Sequence, residues 1–184
     1  MTATSMALPE VEISNEWIRD LGLNTNMKIL IVDDESVNVA LLEAMLDVSG
    51  YTQVKSITDS RLALETSKTF GPDLILLDLL MPHVDGFSIL ESLRAHSNEI
   101  YLPIVVLTAD ITEEAKLRAL KAGATDFLYK PLDQTEVVLR IRNLLETRRA
   151  HHQLVSYTSP LCEVSPVSQL DRSRLGWTPS NRKA

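Results

Sequence analysis

Residues Leu74–Phe87 read LILLDLLMPHVDGF: an apolar run interrupted by one acid, Asp78, and then broken at Met81-Pro82 and Asp85-Gly86. A carboxylate at the edge of such a run costs free energy unless something pairs with it. The reading of the chain therefore turns on what the fold brings next to Asp78. The residues before it form a short strand, 73–77, and the Pro and Gly signals after it make a turn that launches a helix over 86–96.

The same alternation recurs on both sides. MKILIV (27–32) is a β-rich apolar run ending in Asp33-Asp34, and Ser36 is placed to cap a helix that Gly50 ends. A strand near 52–56 and a helix near 60–69 follow, before Gly71-Pro72. Beyond the central stretch come strand 103–107, helix 112–121, strand 125–128 and helix 134–149. Five β-then-α units with near-continuous apolar strands predict a parallel sheet covered on both faces, a doubly wound α/β fold. Ligands in such folds sit beyond the carboxyl ends of the strands.

The totals agree with one such domain plus extensions. The 184 residues are 45% apolar and 23% charged, ordinary values for a globular protein. No stretch has the 18 or more consecutive apolar residues of a membrane span, and the N-terminus lacks the pattern of a signal peptide. One cysteine, Cys162, excludes an intrachain disulfide and fits a reducing compartment, so a cytoplasmic location is expected. The net charge of −7 is concentrated in the central block, which argues against non-specific nucleic-acid binding there. Residues 1–26 hold a candidate short amphipathic helix with Ile13, Trp17, Ile18 and Leu21 on one face. Residues 150–184 form a C-terminal extension, basic and increasingly rich in Ser and Pro, expected to be largely disordered.

Asp33, Asp34, Asp78, Thr108 and Lys130 all fall at the carboxyl ends of predicted strands, so the fold gathers them on one rim. Three clustered carboxylates cannot all stay ionised without a cation, and hard oxygen ligands suit Mg²⁺. Pro131 restricts the backbone of Lys130 to an extended form and helps aim its side chain. The Lys130-Pro131 bond is a candidate for the cis isomer, with trans the default.

Taken individually, these residues have plainer readings. Asp78 alone reads as a turn cap, Thr108 as a β-branched strand residue, and Lys130 as a solvated lysine. Glu35 reads as a helix-start charge favoured by the dipole. His151-His152 reads as a solvated helix end, and Cys162 as inert.

Together they carry a resemblance. The acidic pair Asp33-Asp34, the pattern Asp78-x-x-Met81-Pro82-x-x-Asp85-Gly86, Thr108-Ala109 and Lys130-Pro131 occur in order and at the spacing of the receiver domain of bacterial response regulators. The chain resembles that family over about residues 27–149. The resemblance implies a (βα)5 fold with flavodoxin-like strand order 2-1-3-4-5. It implies that Asp78 accepts a phosphoryl group from a sensor histidine kinase or phosphotransfer protein. Asp34, Asp78 and the backbone carbonyl of Leu80 would bind Mg²⁺, with Asp33 acting through water. Lys130 would pair with Asp78 and then with the phosphoryl group, and Thr108 would hydrogen-bond another phosphoryl oxygen. Phe127 occupies the place of the switch aromatic, although burial in the core accounts for it equally well. Pro82, Gly86 and Pro131 would shape the surrounding loops. Leu80 and Asp110 flank the approach of water to the acyl phosphate, and their combination leaves its lifetime open.

For output, the favoured reading is a single receiver that docks a downstream protein effector or forms a homodimer. The surface implied is the fourth helix, fifth strand and fifth helix. The last helix either packs on the sheet or runs on as a weak coiled coil. No DNA-binding segment is evident. A receiver module separated from its effector domain is the alternative, as is a structural relative that no longer accepts phosphate. A haloacid-dehalogenase-like phosphatase also uses an aspartyl nucleophile with Mg²⁺, but that family places a second Asp where this chain has Leu80.

Overall fold

The computed structural model describes residues 26–82, 84–96 and 101–158. The candidate N-terminal helix and Cys162 lie outside the described residues. Among the described residues, five strands, β1 (Lys28–Val32), β2 (Gln53–Ile57), β3 (Leu74–Asp78), β4 (Ile104–Thr108) and β5 (Asp126–Tyr129), alternate with five α-helices. These are α1 (Ser36–Val48), α2 (Ala63–Phe70), α3 (Gly86–His96), α4 (Glu113–Lys121) and α5 (Gln134–Thr158), with a 3-10 turn at Ser60–Leu62 before α2.

The strands form one sheet in the order β2-β1-β3-β4-β5, and every neighbouring pair is parallel. Period-two alternation divides the core between its faces. Leu30, Val32, Ile75, Leu77, Ile104 and Val106 pack with α3 and with Ala63 of α2 and Ala119 of α4. Ile29, Ile31, Leu74, Leu76, Val105 and Leu107 pack against Val39, Leu42, Met45 and Leu46 of α1 and Val137, Ile141 and Leu145 of α5. The β3 side chains Leu74–Leu77 are fully buried, each worth about 1.5–3 kcal/mol relative to exposure.

β2, β3, β4 and β5 end one residue later than the sequence predicts, because parallel pairing continues to the rim. Leu79 N–H donates to Leu107 O at 3.3 Å, and Lys130 N–H to Thr108 O at 2.9 Å. Asp78 and Thr108 are thus the last residues of their strands. α5 runs to Thr158 instead of stopping at Arg149, since residues 150–158 contain no Gly or Pro to end it. Ser36 does not cap α1. The N-cap residue is Glu35, whose side chain makes no capping bond. Thr112, predicted as the first helical residue of α4, is its N-cap, accepting from Ala115 N–H at 3.3 Å.

Opposite the rim, two arginines fasten loops. Arg94 donates to Gly123 O at 2.7 Å, Leu102 O at 2.5 Å and Thr125 Oγ1 at 3.0 Å. Arg148, buried on α5, donates to Tyr101 O and lies 3.8 Å from Asp73. His151, read from sequence as solvated, stacks on Tyr101 at 4.8 Å between ring centroids.

Candidate acidic site at the strand termini

The strand order reverses direction at β1, which sits between β2 and β3, and chain crossovers leave a crevice beside such a point. Register places the two acidic elements across it. Val32 pairs with Leu77, so Asp33 and Asp78 follow at adjacent strand ends. Asp78 pairs with Leu107, and Thr108 with Tyr129, which brings Thr108 and Lys130 to the same rim.

Asp33 is completely buried, Asp78 is 3% exposed, and Thr108 is buried as well. Lys130 Nζ lies 3.0 Å from Asp33 Oδ2 and 3.0 Å from Asp78 Oδ2, one ammonium bridging two carboxylates. Asp78 Oδ1 accepts from Leu80 N–H at 3.2 Å, so separate donors hold the two oxygens of Asp78. Burial pushes the Asp78 carboxyl above the usual aspartate range, against the opposing pull of Lys130 and the Leu80 N–H. For Lys130, burial alone acts downward, but the hydrogen bonds from Asp33 and Asp78 outweigh it and hold the ammonium above its ordinary value.

Asp33 is held by more than Lys130. Its Oδ1 accepts from Glu35 N–H at 2.9 Å, and Asn38 Nδ2 lies 3.2 Å from each of its oxygens. Sequence reading missed Asn38, which looks like an ordinary first-turn polar residue of a helix. Asp34 differs: its Oδ1 is buried with no hydrogen-bond partner among the described residues. Oxygens of Asp33, Asp34 and Asp78 lie within 4.8 Å of one another. An all-carboxylate donor set with a buried, unpaired oxygen fits a hard divalent cation.

The loop after Asp78 is fixed by a close approach. A Cβ on Gly86 would sit 2.4 Å from the Asp78 carbonyl oxygen and 2.5 Å from Leu79 Cα, so only glycine fits there. Asp85 Oδ1 accepts from Phe87 N–H at 3.2 Å at the start of α3. Pro82 lies in this loop, while the Leu80 side chain is 65% exposed. The Lys130-Pro131 bond is cis. Thr108 Oγ1 accepts from Asp110 N–H at 3.0 Å, and Asp110 Oδ1 from Thr112 N–H at 2.9 Å. Phe127 is half-buried, with its ring 5.9 Å from that of Tyr129 and Lys116 Nζ 5.2 Å above it. Thr108, Phe127 and α4 residues line a cavity of about 10 Å³.

A buried Asp at a doubly wound switch point, facing an acidic pair and a lysine, is the arrangement expected of the receiver class that the sequence resembles. Comparison with known proteins agrees. The family model for the response regulator receiver domain matches residues 29–142. The chain is 40% identical over 120 residues to the alkaline phosphatase synthesis transcriptional regulatory protein PhoP of Bacillus subtilis, covering 65% of this chain and 49% of PhoP. It is 38% identical over 117 residues to response regulator PleD of Caulobacter vibrioides, covering 64% of this chain and 26% of PleD. A crystal structure of a putative response regulator from Chloroflexus aurantiacus superposes with a TM-score of 0.62 at 35% identity, covering 66% of this chain and 98% of that one. The chain belongs to the response regulator receiver domain family. It spans between about a quarter and a half of the length of these two curated relatives. No helix among the described residues is long and apolar enough to cross a membrane.

Proposed function

We propose that residues 27–149 are a phosphorelay switch in which Asp78 accepts a phosphoryl group from a phosphohistidine of a sensor histidine kinase or phosphotransfer protein. The observation that carries this reading is the convergence of Asp33, Asp34, Asp78 and Lys130 across the strand-order reversal, with one buried Asp34 oxygen left unpaired. A carboxylate oxygen of Asp78 attacks phosphorus; as that P–O bond forms the P–N bond breaks, and its electron pair stays on the imidazole nitrogen. Asp34, Asp78 and the Leu80 carbonyl would hold Mg²⁺, with Asp33 acting through water. Bound there, the ion would supply positive charge that offsets repulsion between the carboxylate nucleophile and the anionic phosphoryl group.

The chain's own residues then divide the work. The Leu80 N–H and Lys130 hold separate oxygens of Asp78 and orient its carboxylate. Lys130 transfers part of its hydrogen bonding to a phosphoryl oxygen while Asp33 continues to anchor it. Thr108, whose hydroxyl now accepts from Asp110 N–H, turns to donate to another phosphoryl oxygen. Phe127 follows Thr108 inward. The cavity between them, about 10 Å³, holds roughly one water and not a ring, so α4 has to shift to admit it. The α4–β5–α5 face is in this reading the surface that reports phosphorylation to a protein effector or to a second copy. Exposed Val37 and Leu41 on α1, with Leu80, supply apolar contacts beside the acidic rim for the phosphodonor.

The dehalogenase-like phosphatase reading finds no support at position 80, where an exposed leucine stands in place of an acid. The switch is tested with Mg²⁺ and beryllofluoride, followed by amide NMR. The expected result is saturable shifts around Asp78, Thr108 and α4, lost in D78N; identical spectra with and without the mixture would contradict it.

A further inference from the structure

We propose that Asn38 is a positioning residue that keeps Asp33 from coordinating the site's cation directly and reserves it as the anchor of Lys130. This rests on the receiver-site reading above and deepens it. The geometry by itself does not exclude Asp33 as a ligand, since its carboxylate lies within 4.8 Å of those of Asp34 and Asp78. Hydrogen bonding separates the three. A carboxylate offers about four lone-pair positions, and three donors engage both oxygens of Asp33. Oδ1 takes Glu35 N–H at 2.9 Å, Oδ2 takes Lys130 at 3.0 Å, and one Asn38 N–H is shared between the two oxygens at 3.2 Å each. Asp34 Oδ1 takes nothing among the described residues, and Asp78 Oδ1 takes the Leu80 N–H.

Of the donors on Asp33, Glu35 N–H is backbone and Lys130 is shared with Asp78. Asn38 is therefore the side chain whose loss frees lone pairs on Asp33 while leaving Asp78 untouched. It is also anchored from the other side, donating to Glu35 Oε2 at 2.9 Å. All three atoms facing the amide nitrogen are carboxylate oxygens, which only accept, so the orientation of the amide is fixed by chemistry. The sequence places two adjacent acids after β1, and Asn38 gives them different jobs. Asp34 is left to the cation, and Asp33 to the lysine. Partners of this outer kind orient ligands and tune a metal site.

Mn²⁺ serves as the probe, with water-proton relaxation counting the water ligands on the bound ion. In N38A, Oδ1 of Asp33 keeps only the Glu35 N–H, and Asp33 displaces one water. The expected result is a fall in per-ion relaxivity equal to one water ligand, and no such fall when N38A is placed on D33N. Unchanged relaxivity in N38A overturns the proposal, as does a fall that persists in the D33N background. Should N38A fail to fold by circular dichroism, N38S, whose hydroxyl donates to a single oxygen, is expected to fall in the same direction, and no fall overturns the proposal equally. The parent reading has its own arm: D34N should lose Mn²⁺ binding. If D34N binds like wild type, the site reading and this inference fall together, whereas loss in D34N with N38A unchanged removes this inference alone.

Discussion

Lys130 is one cation set against two buried carboxylates, Asp33 and Asp78, with Asp34 beside them, so its removal leaves them with neutral donors but no opposite charge among the described residues. Lys130→Ala should cost about 2–4 kcal/mol in urea unfolding, below the full buried-pair penalty because the Lys130 side chain keeps 20% exposure. A loss under about 0.5 kcal/mol, the size of an ordinary surface change, would contradict that electrostatic account. Asp78 titrates in the opposite sense to a stabilising acid. Burial raises its folded value above the unfolded one, so the stability it contributes is present below about pH 4 and is lost as pH rises through the raised value. Measured without metal, wild type should therefore lose stability relative to D78N as pH rises above about 4. A pH-independent difference, or a slope of the other sign, would show that burial does not govern this carboxyl.

Among the elements, the β3–α3 connection carries the tightest constraint. Gly86→Ala would push a methyl group into the Asp78 carbonyl and Leu79 Cα, both backbone atoms that cannot rotate away. The expected cost is about 2–3 kcal/mol, with weaker Mg²⁺ binding measured by calorimetry because the strand end carrying Asp78 must move. A Gly86→Ala protein as stable as wild type would mean the loop relaxes freely. The alternation of elements was legible because the β1, β3 and β4 strands are continuous apolar runs, and so was the convergence of Asp33, Asp34, Asp78, Thr108 and Lys130. Strand ends were displaced by one residue because the parallel ladder continues through Leu79 and Lys130 backbone donors, which leave no pattern in side chains. Arg94, Arg148 and the His151–Tyr101 stack were illegible for a related reason, since each has a partner defined only by tertiary packing and alone reads as a solvated side chain. Asn38 bonds Asp33 and Glu35, five and three residues before it, a local pairing set by the turn into α1.

For the molecule as a whole, the sheet separates two tasks. The carboxyl ends of β1, β3, β4 and β5 hold the proposed chemistry, while the opposite ends are fastened by Arg94 and Arg148. In the proposed switch, movement at Thr108 would run towards Phe127 and α4, where the small cavity lies, and away from the fastened end of the sheet. A switch of this kind would convert a local charge change into a new surface. All of it depends on Asp78 accepting a phosphoryl group. The most direct test is intact-mass and peptide mass spectrometry after incubation with acetyl phosphate and Mg²⁺. The account predicts one added phosphoryl group on the Asp78 peptide, removed by hydroxylamine and absent from D78N or when EDTA replaces Mg²⁺. No adduct in wild type, or an equal adduct in D78N, would contradict it.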